Sequence, residues 1–292
     1  MRRRRAAMLV ACSILLTACL AAAGEVTVTF YHTSDIHEHA GPLARIAQFV
    51  QDQREAGKNV VFADTGDWCN KGDLTDLGTR GDAVTEMMGA MGYDAIIPGN
   101  HDYSHGTKRL AELIDKHRLP VLAANCTWPA DATPKGVKPY EIFTFEGVKV
   151  AVIGTATPNM GNAADQLLKV QPIAEAVKPL VAKLGREADI IVLLTHLGPP
   201  DDRKLIAALP RVDLILGGHH HKRFTKLDFD KQRQTILQHS GCFGTHIGEV
   251  VVTWDGEKIV DRKARLIKVV PAMAECPKVR AIRARYQPGK AK

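Results

Sequence analysis

No two cysteines of this 292-residue chain stand in a Cys-x-x-Cys pair, which disfavours a thiolate zinc site. Beyond residue 23 no apolar run approaches the ~20 residues that a bilayer-spanning helix needs. Internal repeats, low-complexity stretches and long Pro/Gly/Ser linkers are also missing, so one domain is the simplest organisation. Acidic residues are absent from both ends: residues 1–18 carry Arg2, Arg3, Arg4 and Arg5 without an Asp or Glu, and residues 277–292 carry six Lys and Arg without one. These ends account for the formal charge of +7, which falls by four and then by six to leave −3 on the body. A slightly acidic body is not the composition of a nucleic-acid-binding protein, and no nucleic-acid partner is expected. With 45% hydrophobic and 24% charged residues the chain has an ordinary globular composition, which argues against disorder, collagen and coiled coil.

The first segment reads as an address. Four arginines precede an uncharged apolar run of about 18 residues ending in Ala21-Ala22-Ala23, the pattern of a secretory signal peptide; an uncleaved anchor is the second reading. Two cleavage sites compete. Leu16-Thr17-Ala18-Cys19 has the form of a lipobox, which would end the signal at residue 18 and place a lipid anchor on Cys19; the alanine run would end it at residue 23. Either way the mature protein is expected to be periplasmic or otherwise exported. Cys69, Cys126, Cys242 and Cys276 remain in the body, where an oxidising compartment permits disulfides in three connectivities. The expectation is one disulfide or none.

Strand-like and helix-like segments alternate along the body. Strands are expected at Glu25–His32, Asn59–Ala63, Asp94–Ile97, Val121–Ala124, Lys149–Ile153, Ile190–Leu194, Val212–Leu216, Asp230–Gln238, Glu249–Trp254 and Lys258–Asp261. Helices are expected at Pro42–Ala56, Asp82–Met91, Thr107–His117 and Pro172–Lys183. This is α/β rhythm, with a largely parallel sheet covered by helices. Residues 25–270 form the expected domain, and 271–292 read as a basic, frayed tail of which 277–292 is dispensable.

Five of these strands end in polar clusters: Ser34-Asp35-Ile36-His37, Asp64-Thr65-Gly66-Asp67, Pro98-Gly99-Asn100-His101-Asp102, Thr195-His196 and Gly217-Gly218-His219-His220-His221. In open α/β sheets the carboxyl ends of the strands form the ligand-binding edge, so clusters far apart in sequence converge there. Their contents are carboxylates, imidazoles and one amide, the ligands of borderline divalent metals. Any one cluster alone is a common turn; five in this order, each at a strand end, are not.

Asp35-x-His37, Gly66-Asp67, Gly99-Asn100-His101-Asp102, Thr195-His196 and Gly218-His219-x-His221 together resemble the calcineurin-like metallophosphoesterase superfamily. Within it the chain is similar to the catalytic domain of the periplasmic 5′-nucleotidase and UDP-sugar hydrolase family, supported by Gly92-Tyr93-Asp94, Leu122-Ala123-Ala124-Asn125, Gln238-His239-Ser240-Gly241 and Gly244-Thr245-His246-Ile247-Gly248. The resemblance implies a four-layer α/β/β/α fold and an exported binuclear-metal phosphoesterase acting on nucleotides or related small phosphomonoesters. It assigns Asp35, His37 and His221 to one divalent ion, Asn100, His196 and His219 to the other, and Asp67 to both, with Zn, Mn or Fe as the metals. A hydroxide shared by the ions would attack phosphorus, and His101 would face the phosphate or protonate the leaving oxygen. The same site admits a cyclic-nucleotide phosphodiesterase or pyrophosphatase, and a thiosulfate-ester hydrolase is conceivable. The alternative from another class is a non-catalytic metal- or ligand-binding lipoprotein, against which the full ligand set weighs. No protein partner is inferred.

Three features depart from the resemblance. Ser104 stands where relatives carry an Asp that pairs with the catalytic histidine, so Asp102 or another group would take that part, or His101 would act as a neutral donor. The second domain that carries the nucleoside clamp in relatives is expected to be missing, so nucleotide specificity does not follow. Cys69 and Lys71 lie just beyond Asp67, where contact with substrate and a plain surface loop are equally open. His39, His105, His117, His220, His239 and His246 are expected to be structural or solvated, and Asp64 to orient a neighbouring ligand.

Overall fold

The structure, a computed structural model, describes residues 24–160, 165 and 167–287. The expected signal segment, with both cleavage sites, lies outside the described residues. In chain order the elements are β1 (Val26–Thr33), α1 (Leu43–Glu55), β2 (Asn59–Asp64), α2 (Asp82–Met91), β3 (Ala95–Ile96), α3 (Thr107–His117), β4 (Cys126–Thr127), β5 (Tyr140–Phe145), β6 (Val148–Gly154) and β7 (Lys169–Val170). There follow α4 (Ile173–Leu184), β8 (Ile190–Thr195), α5 (Pro199–Ala208), β9 (Leu214–Gly217), β10 (Asp228–Asp230), β11 (Thr235–His239), β12 (His246–Trp254), β13 (Ile259–Lys268) and α6 (Pro277–Tyr286).

Two sheets carry the fold. One has the order β13-β12-β1-β2-β3, the other β10-β11-β9-β8-β6-β5. Strand side chains alternate between faces, and here both faces are covered. From the first sheet Val28, Phe30, Val61 and Ala63 meet Val150, Val152, Val192 and Leu194 of the second in a core between the sheets. Their neighbours point outward: Tyr31 and Phe62 pack under α1 and α2 on Ile46, Val50, Met87 and Met88. On the far side Ala151, Ile153, Ile191 and Leu193 pack under α4 and α5 on Val177, Val181, Leu205 and Ile206. The layers are therefore α/β/β/α. Strands buried on both faces read as unbroken apolar runs, as in Val150-Ala151-Val152-Ile153. β1 runs parallel to β2, and β6, β8, β9 and β11 run parallel to one another, so their carboxyl ends open on one edge.

Some expectations are corrected. The single strand at Asp230–Gln238 is two, β10 and β11, antiparallel around a turn in which Gln234 has φ 59°. Val121 and Leu122 make only isolated bridges, to Ile96 and Lys138. Cys69, Cys126, Cys242 and Cys276 are all free thiols, which the expectation of one disulfide or none allows. The tail is not a frayed end: residues 277–286 form α6, packed on α1 and α2. Its four cations mask a short apolar stripe, Val279 and Ile282, buried with Arg283 at i, i+3, i+4 spacing. Arg283 donates to Glu275 (3.0 Å) and to the Gly41 carbonyl (3.0 Å), the Tyr286 hydroxyl donates to Glu86 (2.8 Å), and the Gln287 amide donates to Asp73 (2.8 Å). Deleting residues 277–292 is accordingly expected to destabilise the protein. Ile282→Ala should cost about 2 kcal/mol or more by chemical denaturation; an unchanged midpoint would show that the helix does not belong to the core.

Candidate metal centre

The five polar clusters occupy turns at the ends of β1, β2, β3, β8 and β9, and the chain is forced into unusual backbone to present them. Asp35, His37, Asp67, His219 and His221 have φ of 51°, 49°, 61°, 81° and 54°, in the left-handed region that non-glycine residues seldom adopt. Such strain persists where surrounding contacts over-determine it. Here the Asp35 and His37 amides donate to the Gly66 and Asp67 carbonyls, both at 2.8 Å, locking the first turn to the second. Gly99 has no alternative: a Cβ there would stand 2.3 Å from the Asp67 carboxylate.

Two groups of candidate ligands result, Asp35 with His37 and His221, and Asp67 with His196 and His219. Within each group the ligand atoms lie within 4.8 Å of one another. Asp67 Oδ2 is 3.1 Å from His196 Nε2 in its own group and 3.7 Å from His37 Nε2 in the other. His37 Nε2 stands 3.2 Å from His221 Nε2, which is 3.4 Å from Asp35 Oδ1. Asn100 and His101 follow in the adjoining loop, where the His101 amide donates to Asp67 Oδ1 at 2.7 Å.

The donors fit a cation. His196 Nδ1 lies 2.6 Å from the Thr65 carbonyl, which can only accept, so Nδ1 carries the proton and Nε2 turns a lone pair toward the Asp67 carboxylate. Two electron-pair donors facing each other in a buried site call for a positive charge between them. With protons alone the site reports the same demand: burial disfavours the His196 cation, yet Asp67 and Asp35 push its pKa up to about 10. Among the described residues Asp35 Oδ1 and Asn100 Oδ1 are buried without a hydrogen-bond partner, as oxygens kept for a ligand would be. Burial holds His37 down at about 4 and His219 and His101 below the usual imidazole range, which favours the neutral rings that bind metals.

Asp102 is fully buried and accepts from three backbone amides: Asp67 (2.9 Å) and Gly99 (2.7 Å) on Oδ2, and Cys69 (2.9 Å) on Oδ1. It clamps the second and third loops together and does not serve as the carboxylate partner of His101. The Ser104 amide donates to the His101 carbonyl (3.1 Å), while its own hydroxyl oxygen is buried without a partner among the described residues. Cys69 is fully buried, with its thiol pushed far up by burial, so it is no substrate contact; Lys71 is exposed. Asp64 accepts from Thr33 (2.6 Å) and from the Gly66 amide (3.0 Å), fixing the turn before Asp67. Beneath the loops Asp202 joins His239 (2.8 Å) and Thr195 (2.7 Å), tying α5 to the ends of β8 and β11. His117 pairs with Asp82 (2.8 Å), and the His220 ring packs against Gly198 in the turn before α5. The residue unforeseen from the sequence is Phe243, whose ring contacts those of His37, His39 and His221.

A family model described as calcineurin-like phosphoesterase matches residues 28–223. Among curated relatives, the trifunctional nucleotide phosphoesterase protein YfkN of Bacillus subtilis is 26% identical over 84% of this chain and 19% of its own length. The 5′-nucleotidase of Bos taurus is 26% identical over 87% of this chain and 51% of its own. Apart from YfkN, of which it covers less, the chain spans about half the length of the curated relatives it matches most extensively. Among solved structures, a 5′-nucleotidase precursor from Thermus thermophilus superposes with a TM-score of 0.79 at 25% identity, covering 90% of this chain and 59% of that one. The NAD nucleotidase of Haemophilus influenzae shares the fold, with a TM-score of 0.78 at 18% identity over 91% of this chain and 60% of that one.

Proposed function

The chain belongs to the calcineurin-like phosphoesterase family, and on that premise we propose that it is an exported, metal-dependent hydrolase of small phosphate esters. The observation that carries the reading is the pair of ligand groups bracketing the Asp67 carboxylate. Asp35, His37 and His221 would hold one divalent ion and Asn100, His196 and His219 the other, with Asp67 available to both. Neutral imidazoles and an amide keep the ligand charge low, and the mixed nitrogen and oxygen set suits Zn, Mn or Fe. Two such ions would neutralise phosphate charge and acidify water between them. The chain's own residues do the rest. Thr65 fixes the His196 tautomer and Asp102 sets the spacing of the Asp67 and Asn100 loops; His101 would donate to the phosphate or to the departing oxygen. Substrates are nucleotides or related phosphomonoesters, in keeping with the activities for which the nucleotidase and nucleotide phosphoesterase relatives are named.

Elemental analysis of the purified protein should find about two transition-metal ions per chain. Hydrolysis of an aryl phosphate should be abolished by a chelator and restored by a divalent metal. Retained hydrolysis after complete metal removal would refute the reading. Export rests on Arg2–Arg5 and the apolar run after them. The mature protein should begin at Cys19, lipid-modified, or at Gly24; an intact Met1 in the periplasmic fraction would exclude both sites.

A further inference from the structure

Phe243 lies in the turn between β11 and β12. It belongs to none of the three apolar cores, and its ring is half-buried. Its φ is 60°, a genuine outlier for a bulky residue, and it stands between Gly241 (φ 93°) and Gly244 (φ 62°). Its amide donates to the Asp35 carbonyl at 2.8 Å, which fastens the turn to the metal centre. The ring centroid lies 5.4 Å from that of His221, 5.8 Å from His37 and 4.4 Å from His39. His37 is buried, whereas His221, whose ring Phe243 contacts, keeps 36% of its side chain exposed, so this ligand group opens to solvent at His221. An aromatic ring held there by strained backbone, outside the core and beside the open ligand, is placed to meet whatever enters.

We infer that Phe243, backed by His39, is a stacking surface for a flat ring in the leaving group of the phosphate ester. The inference rests on the proposed function and adds a specificity determinant within this domain. Nucleobases and simple aryl rings share the chemistry it recognises, a π-face. They differ in distance from phosphorus, since an aryl ring sits directly on the ester oxygen and a nucleobase lies one sugar away.

The test compares Phe243→Leu, which keeps apolar bulk and loses the π-face, and Phe243→Trp with the wild type. The substrates are p-nitrophenyl phosphate, a nucleoside 5′-monophosphate and glycerol phosphate, which has no ring. In Phe243→Leu the preference for a ring-bearing ester over glycerol phosphate, as a ratio of kcat/KM, should fall about tenfold and chiefly through KM; Phe243→Trp should retain it. A fall confined to the nitrophenyl ester or to the nucleotide identifies which ring is stacked. Metal content and melting temperature should stay at wild-type values. Equal losses on all three substrates, or lost metal, would overturn the inference in favour of plain packing against His37 and His221, and an unchanged ratio would overturn it outright. Those results leave the proposed function standing. That reading fails separately, if the metal-loaded wild type hydrolyses none of the three.

Discussion

Asp67→Asn is expected to lower hydrolysis about a thousandfold or more and to weaken retention of both ions, because one carboxylate meets two separate demands. Oδ2 faces His196 at 3.1 Å and His37 at 3.7 Å, while Oδ1 accepts from the His101 amide at 2.7 Å. An asparagine side chain has nearly the same shape and one oxygen. If that oxygen keeps the His101 amide, the NH2 group is turned toward the His196 Nε2 lone pair and the ions, where it cannot coordinate. If the side chain flips, NH2 meets the His101 N–H and the third loop loses its hold. Neither orientation repairs the charge. A readout independent of turnover exists in the metal-free protein. Burial works against the His196 cation and Asp67 is its strongest support, so its pKa, near 10 in the wild type, should drop in Asp67→Asn. Nuclear magnetic resonance titration of the His196 ring measures this. A variant with two tightly held ions and normal turnover would remove Asp67 from its bridging place.

The seven candidate ligands were legible because their chemistry and their position agree. Each is a metal-binding residue type in a turn that closes an apolar run, and β-strands deliver such turns to one edge. The pairing of Asn100 and Asp67 with particular histidines rests on the family resemblance, since nothing local in sequence connects them. Other features left no comparable mark. Asp102 acts through three backbone amides, of Asp67, Cys69 and Gly99, and backbone partners carry no residue pattern. Phe243 owes its place to left-handed backbone, which is typical of glycine and unexpected for an aromatic residue. α5 opens on Pro199-Pro200-Asp201-Asp202 and buries little beyond Leu205 and Ile206, too short a stripe to show a period. In α6 the same weakness is compounded by the cations around Val279 and Ile282. Asp230–Gln238 reads as one strand because its turn, Lys231–Gln234, contains no glycine or proline to mark it.

On the proposed function, the proton balance of the leaving group would turn on His101 and Ser104. Asp102 is occupied by backbone amides, so it is not the carboxylate that the relatives' pattern would supply to the histidine. Burial first, then the charges of Lys71 and His196, hold the His101 pKa below the usual imidazole range, against the pull of Asp67 and Asp35. A general acid must be protonated to act, and a lowered pKa confines the imidazolium form to lower pH. Hydrolysis of alkyl phosphates, whose leaving oxygen needs the proton, should therefore decline as pH rises through that lowered value. Aryl phosphates, whose leaving oxygen is a stable anion, should show little of this limb. Ser104→Asp would place a carboxylate in the turn whose amide already bonds to the His101 carbonyl, raise the imidazole pKa and carry the alkyl limb to higher pH. Near neutral pH it should narrow the gap between aryl and alkyl esters by about one to two orders of magnitude, within the ~10²–10⁴ that general acid–base catalysis supplies. His101→Asn should slow both classes, the alkyl esters more, and should erase the limb altogether. The deciding measurement is the slope of log(kcat/KM) against leaving-group pKa at several pH values. A slope left unchanged by Ser104→Asp would mean that His101 works as a neutral hydrogen-bond donor to the phosphate, with the leaving oxygen protonated from solvent.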